Sequence, residues 1–134
     1  MEYVRSSKAR PPLPPGPFLV VGLARSGVAA ARALKAHGQA VFGVDSGEPE
    51  GLGLLRESGI DFETSVAGTD RLEGVATVIK SPGVPESAEV IAEASRRGLP
   101  VIGELELGWR MFGAPVVAIT GTNGKTTTTE LTAH

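Results

Sequence analysis

Short, wholly apolar runs alternate along this chain with longer amphipathic stretches. Phe18-Leu19-Val20-Val21 has no polar member, the pattern of a strand covered on both faces. The alanine-rich stretch 26–37 sets Val28, Ala31 and Leu34 along one face, which predicts a helix, with Gly38 just past its end. A second strand is predicted over 40–44, then a short helix over 52–58 ended by Gly59. Another buried strand follows at 75–79. A helix is expected over 87–97, with Val90, Ile91 and Ala94 inward and Gly98 and Pro100 as stops. A brief strand at 100–102 leads to a helix at 104–112, where Leu105, Trp109 and Phe112 recur at i, i+4 and i+7. The chain then predicts a strand over 115–119, a glycine-rich loop, and a helix beginning at Lys125.

Strands alternating with helices imply an α/β fold, here a Rossmann-like domain with a mostly parallel sheet and helices on both faces. We assign that domain to 18–113. The natural seam lies near Gly113-Ala114. Residues 114–134 are expected to be the start of a second, truncated domain: its first strand, a P-loop and a helix. Ahead of the first strand, Pro11-Pro12-Leu13-Pro14-Pro15 cannot donate to a sheet and disfavours helix, so 1–17 is expected to be a flexible, extended or disordered arm.

Composition narrows the chemistry. With no cysteine, a disulfide scaffold, a thiol nucleophile and a cysteine-ligated metal are excluded. A net charge of -2 offers no basic footprint for nucleic acid or an anionic membrane. The longest apolar runs are strand-length, so no bilayer span is expected, and the N-terminus lacks the apolar core of a secretory leader.

Two glycine-rich turns carry the candidate chemistry. Gly22-Leu23-Ala24-Arg25-Ser26-Gly27 follows the first strand and opens the first helix. It is a variant of the dinucleotide fingerprint G-x-G-x-x-G with Ala24 in the middle position. Such a turn delivers backbone N–H groups and a helix N-terminus to an anion. The Ala24 methyl group would seat an NAD pyrophosphate less comfortably. Asp45 ends the second strand, where a ribose-binding acid would stand. Read alone, the turn suits a nucleotide, an NAD-dependent oxidoreductase domain, or simply a tight turn.

The second turn is more specific. Ile119 precedes Thr120, Gly121, Thr122, Asn123, Gly124, Lys125, Thr126 and Thr127, in the order strand, loop, helix start. Successive amides there would form an anion nest. Lys125 would meet the β- and γ-phosphates of ATP, and the Thr126 hydroxyl would ligate Mg²⁺.

The string Ala118-Ile119-Thr120-Gly121-Thr122-Asn123-Gly124-Lys125-Thr126-Thr127 resembles the ATP loop of the Mur ligase superfamily, to which folylpolyglutamate synthetases also belong. Gly22 to Gly27, Asp45, Ser81-Pro82-Gly83-Val84-Pro85 and Gly103-Glu104-Leu105-Glu106-Leu107 resemble, in order and spacing, the D-glutamate-adding members. The resemblance runs from about Phe18 to the end. Ala24, Arg25 and Gly47 depart from the usual pattern.

The resemblance implies a cytoplasmic, monomeric ligase of peptidoglycan precursor synthesis. It would activate UDP-N-acetylmuramoyl-L-alanine as an acyl phosphate with MgATP and join it to D-glutamate. By position, Arg25, Ser26, Asp45, Ser46, Ser81, Pro82 and Gly83 would meet the uridine diphosphate end. Gly121, Thr122, Asn123, Gly124, Lys125, Thr126 and Thr127 would hold ATP, with Thr126 near magnesium. The chain ends soon after Lys125, so the 134 residues alone are expected to be inactive, with the terminal strand edge open to pairing with another molecule. Another Mur ligase, a folylpolyglutamate synthetase relative, an NAD-dependent domain and a non-enzymatic nucleotide-binding module remain as alternatives. Glu104 and Glu106, two apart, fall on different helix faces and read as first-turn acids.

Overall fold

A computed structural model describes residues 2–4, 9–113 and 118–120. Its centre is a five-stranded parallel sheet: β2 (Phe18–Val21), β3 (Val41–Val44), β4 (Asp61–Glu63), β5 (Thr77–Lys80) and β6 (Val101–Gly103), in the order β4-β3-β2-β5-β6. The register pairs Val20 with Gly43 on one side and with Ile79 on the other. The helices are α1 (Arg25–Ala36), α2 (Gly53–Glu57), α3 (Glu89–Arg96) and α4 (Glu104–Met111), and a 3-10 turn spans Thr69–Leu72.

Strand periodicity explains the two cores. Phe18 and Val20 face one side of β2 and pack with Val28, Ala31 and Leu34 of α1, Leu55 of α2 and Leu107 of α4. Leu19 and Val21 face the other and pack with Val90, Ile91 and Ala94 of α3 and with Leu72. All four β2 residues are buried, as their unbroken apolar run requires. Each such burial contributes roughly 1.5–3 kcal/mol.

Three helices end alike. The N–H of Gln39, Ile60 and Leu99 each reaches back to the third-last helical carbonyl, of Leu34, Leu55 and Ala94. The intervening Gly38, Gly59 and Gly98 have φ of 75°, 67° and 72°, so the glycines anticipated as stops occupy the left-handed position of this cap.

Three features differ from the sequence reading or extend it. In α4, Leu105 is 88% exposed and Phe112 55%, whereas Leu107 and Met111 turn to the core. The 105–109–112 stripe is therefore not the inward face. An equally good four-residue step, 107–111, sits one face round and meets α1, and sequence spacing alone does not choose between two apolar stripes on one helix. β4 carries a single apolar residue, Phe62, too short a pattern to signal a strand, and it forms because its backbone completes the β3 edge. Finally, Glu2–Val4 (β1) pairs antiparallel with Ala118–Thr120 (β7), Tyr3 opposite Ile119, so one described edge of the terminal strand is taken by the same chain.

Residues 9–17 lie against the amino ends of β2 and β5. Thr77 Oγ1 donates to the Pro15 carbonyl at 2.8 Å, and the Ala76 N–H donates to the Pro17 carbonyl at 2.9 Å. Arg110 donates to the Pro12 carbonyl at 3.2 Å, and Leu13 packs against the α1-side core. The Gly16-Pro17 bond is cis.

Candidate functional site

The sheet order sets the site. From β2 the chain crosses through α1 to β3 on one side. From β5 it crosses through α3 to β6 on the other. The connections that leave the carboxyl ends of β2 and β5 therefore go to opposite faces of the sheet, and a crevice opens where the winding reverses. It has a volume of about 490 Å³. Its floor is apolar, with Val21, Val44, Val66 and Val90, and its rim includes Gly22, Asp45, Ser46, Ser65, Gly83 and Glu89.

The first glycine turn has little freedom. Gly22 has φ 92°, and a Cβ there would lie 2.8 Å from Ser81 Cβ. A Cβ on Gly27 would lie 1.8 Å from the Gly22 carbonyl oxygen, so helix and turn are in direct backbone contact. Ala24 has φ -68° and ψ -176°, ordinary extended backbone that needs no glycine. It is the N-cap of α1 and makes no side-chain cap, and the first helical turn holds no acid. The leading amides of α1 are thus left to an external acceptor, with Arg25 beside them.

Asp45 braces this turn. Its Oδ2 accepts the Leu23 N–H at 2.7 Å and its Oδ1 accepts the Gly47 N–H at 2.8 Å, so one carboxylate joins the loops after β2 and β3. Ser65 is in the left-handed region at φ 58° without being glycine. It is held there by its N–H to the Gly47 carbonyl at 3.0 Å and its hydroxyl to Glu48 at 3.2 Å. A non-glycine residue in this conformation at a crevice rim is backbone strain sustained by its surroundings.

The anticipated site residues divide. Asp45, Ser46 and Gly83 share the 490 Å³ crevice with Gly22. Arg25 lines a separate pocket of about 520 Å³, with Ala24, Pro49 and Glu50. Ser26 and Pro82 border a groove between α1 and α4. Ser81 is buried and its hydroxyl points inward, to the Gly22 carbonyl at 2.9 Å and to Glu104. Glu106 instead pairs with Arg110, so the two acids do occupy different faces. Ser65, Val66 and Ala67 form a wall that sequence reasoning missed; the signal that could have marked the loop is Gly68, which follows them with φ 87°. The residues Gly121, Thr122, Asn123, Gly124, Lys125, Thr126 and Thr127 lie outside the described residues.

Among the described residues no cluster of acids and histidines could hold a metal, and no helix is long and apolar enough to cross a membrane.

Fold and crevice together define a Rossmann-like α/β domain with a glycine-rich turn at its switch point. The comparisons with known proteins make this particular: the family described as Mur ligase MurD-like, N-terminal domain, matches residues 17–103, and the chain belongs to it. It is 49% identical over 121 residues to the UDP-N-acetylmuramoylalanine–D-glutamate ligase of Frankia casuarinae, covering 86% of this chain and 25% of that protein. It is 44% identical over 117 residues to the ligase of the same name from Pelotomaculum thermopropionicum, covering 84% of this chain and 26% of that protein. The chain thus spans about a quarter of the length of these relatives. Among solved structures, it is similar to the UDP-N-acetylmuramate-alanine ligase MurC of Thermotoga maritima, with TM-score 0.59, 26% identity and coverage of 66% of this chain and 20% of that one. A pseudomurein peptide ligase type C from Methanothermus fervidus shares the fold, with TM-score 0.60, 24% identity and coverage of 85% and 24%.

Proposed function

We propose that this chain binds the uridine diphosphate end of a UDP-N-acetylmuramoyl substrate, as the N-terminal part of an ATP-dependent ligase that joins UDP-N-acetylmuramoyl-L-alanine to D-glutamate in the cytoplasm. The observation that carries the reading is the 490 Å³ crevice at the switch point, where Gly22, from the turn that opens the uncapped α1, and Asp45 share one rim. The diphosphate would accept from the α1 amides, with the Arg25 guanidinium offsetting its charge. The apolar floor and the Asp45-Ser46 rim would take the base and ribose. The activity that the relatives are named for supplies the acceptor and the reaction class.

On this reading 18–113 is the substrate-binding domain and 114–134 opens the ATP-binding domain. Lys125 and Thr126 would hold the triphosphate and Mg²⁺, which supply phosphoryl transfer to the substrate carboxylate when bound. The described residues have a narrower task. They bind and orient the nucleotide end through Asp45, which fixes the 22–27 turn, and through the walls at 65–67 and 83–85.

Calorimetric titration of the chain with UDP and with NADH tests the proposal. UDP is expected to give a saturable heat and NADH none. Saturable NADH binding with UDP silent would overturn it in favour of a dinucleotide-binding oxidoreductase domain.

A further inference from the structure

Three segments meet at the hydroxyl of Ser81, and the nucleotide reading makes no use of it. Ser81 is only 4% exposed and follows β5 directly. Its N–H donates to the Val21 carbonyl at 3.0 Å, which ties it to the end of β2. Its Oγ reaches the Gly22 carbonyl at 2.9 Å and also the carboxylate of Glu104, the first residue of α4. From the far side, Lys80 Nζ donates to the Val84 carbonyl at 2.7 Å and holds the 81–84 turn closed.

We propose that Glu104 is a positioning residue for the nucleotide turn, acting through Ser81: its carboxylate fixes the hydroxyl that steadies Gly22, and with it the amides that open α1. This rests on the UDP reading of the crevice. The space allows little slack. A Cβ on Gly22 would lie 2.9 Å from Ser81 Oγ, and one on Gly27 3.0 Å from it, so the Ser81 hydroxyl fills the space that both glycines leave open. The chemistry also demands a partner at 104. A hydroxyl carries one hydrogen, and here it faces two acceptors. Set between the Gly22 carbonyl and the Glu104 carboxylate, the hydroxyl oxygen is fixed from two sides, whereas an apolar replacement leaves it only the Gly22 carbonyl. A glutamine can donate its amide N–H to Ser81 Oγ and free the hydroxyl hydrogen for Gly22, so it preserves the arrangement. The same side chain links the nucleotide turn to α4, which ends at Met111, close to the 113/114 seam. Glu106, on the same helix, faces Arg110 and supplies a control.

The test uses the 134-residue chain with UDP as probe, comparing E104A, E104D, E104Q, S81A, S81A/E104A and E106A by calorimetry, with circular dichroism to confirm folding. E104A is expected to weaken UDP about tenfold, with E104Q and E106A within about twofold of the parent. S81A/E104A should match S81A alone, because Glu104 acts through that hydroxyl. A folded E104A with parental affinity, or fully additive losses in the double variant, overturns the proposal. Should E104A not fold, E104D carries the test: its shorter stem falls away from Ser81, several-fold weaker UDP is expected, and unchanged affinity overturns the idea. Hydrogen exchange at the Leu23 amide separates this proposal from the reading beneath it. The amide should exchange at least about tenfold faster in E104A (E104D if E104A is unfolded) and unchanged in E106A, with or without UDP. No heat with UDP in the parent sinks the UDP reading, whereas unaltered Leu23 exchange in that variant sinks the role of Glu104.

Discussion

The two ends of the parallel sheet are built from the same strands and finished in opposite ways. At the carboxyl end, β2 and β3 run into Gly22 and Asp45, β5 is followed by Ser81-Pro82-Gly83, and side chains brace the turns while a crevice stays open between them. At the amino end, the proline-rich arm lies across β2 and β5, its carbonyls accept from Ala76 and Thr77, and Phe18 and Thr77 are sealed at 1% and 0% exposure. Prolines suit that seal, because they present acceptors without bringing donors that would need partners. On the proposed reading one end serves stability and the other ligand, and substitutions should separate the two.

The largest effect is expected at Gly27. A methyl group there would collide with the Gly22 backbone, which no side-chain movement relieves. Gly27→Ala is expected to abolish measurable UDP binding and to cost about 3 kcal/mol of stability. Calorimetry and urea denaturation check both. Parental UDP affinity in the variant would break the assignment of the carboxyl end to ligand.

How much of this could be read beforehand follows from what each residue depends on. The β2 strand, the three glycine-ended helices and the 22–27 turn were legible because periodicity and glycine chemistry are local. Val90, Ile91 and Ala94 point inward as their spacing requires. The α4 face was not legible, since Leu105 and Leu107 are chemically alike and only the neighbouring α1 decides between them. Glu104 read as a helix-dipole acid, and its meeting with Ser81 across 23 positions has no local signature. The same holds for Ser65, whose left-handed backbone is imposed by Gly47 and Glu48 from a distant loop. For Asp45 the sequence pointed to a ligand-side acid. Its two amide contacts add a bracing role that spacing could not reveal.

A smaller effect sharpens the comparison from the amino end. Thr77→Val keeps the shape and removes the hydrogen bond to the Pro15 carbonyl. It is expected to lower stability by about 1 kcal/mol, read as a shift in urea midpoint, with UDP affinity unchanged. A variant that loses UDP binding while remaining folded would show that the arm reaches the crevice energetically, and the division between the ends would fail.

The smallest effect lies at the sheet edge, on β4, beside the carboxyl end but outside the crevice lining. The Arg71 guanidinium bonds both carboxylate oxygens of Glu63 and rests over the Phe42 ring, 4.7 Å from its centre. Its hydrogen bond holds Glu63 below the usual carboxylate range, with the Arg71 charge adding to the effect and desolvation opposing it. A group depressed on folding stabilises above its unfolded pKa, and that contribution disappears as pH falls through the lowered folded value. Both side chains are partly exposed, so solvent screening keeps the gain small. Glu93 is lowered in the same way by Arg97 and would blur a simple acid titration of stability. Comparing the parent with Glu63→Gln removes that background, because Glu93 is common to both. The parent should melt slightly higher than the variant at about pH 7, and the gap should close by about pH 3. A gap that persists in acid would mean that Glu63 acts by packing instead of charge. A change in UDP affinity at neutral pH would extend the ligand end of the sheet out to its edge strand.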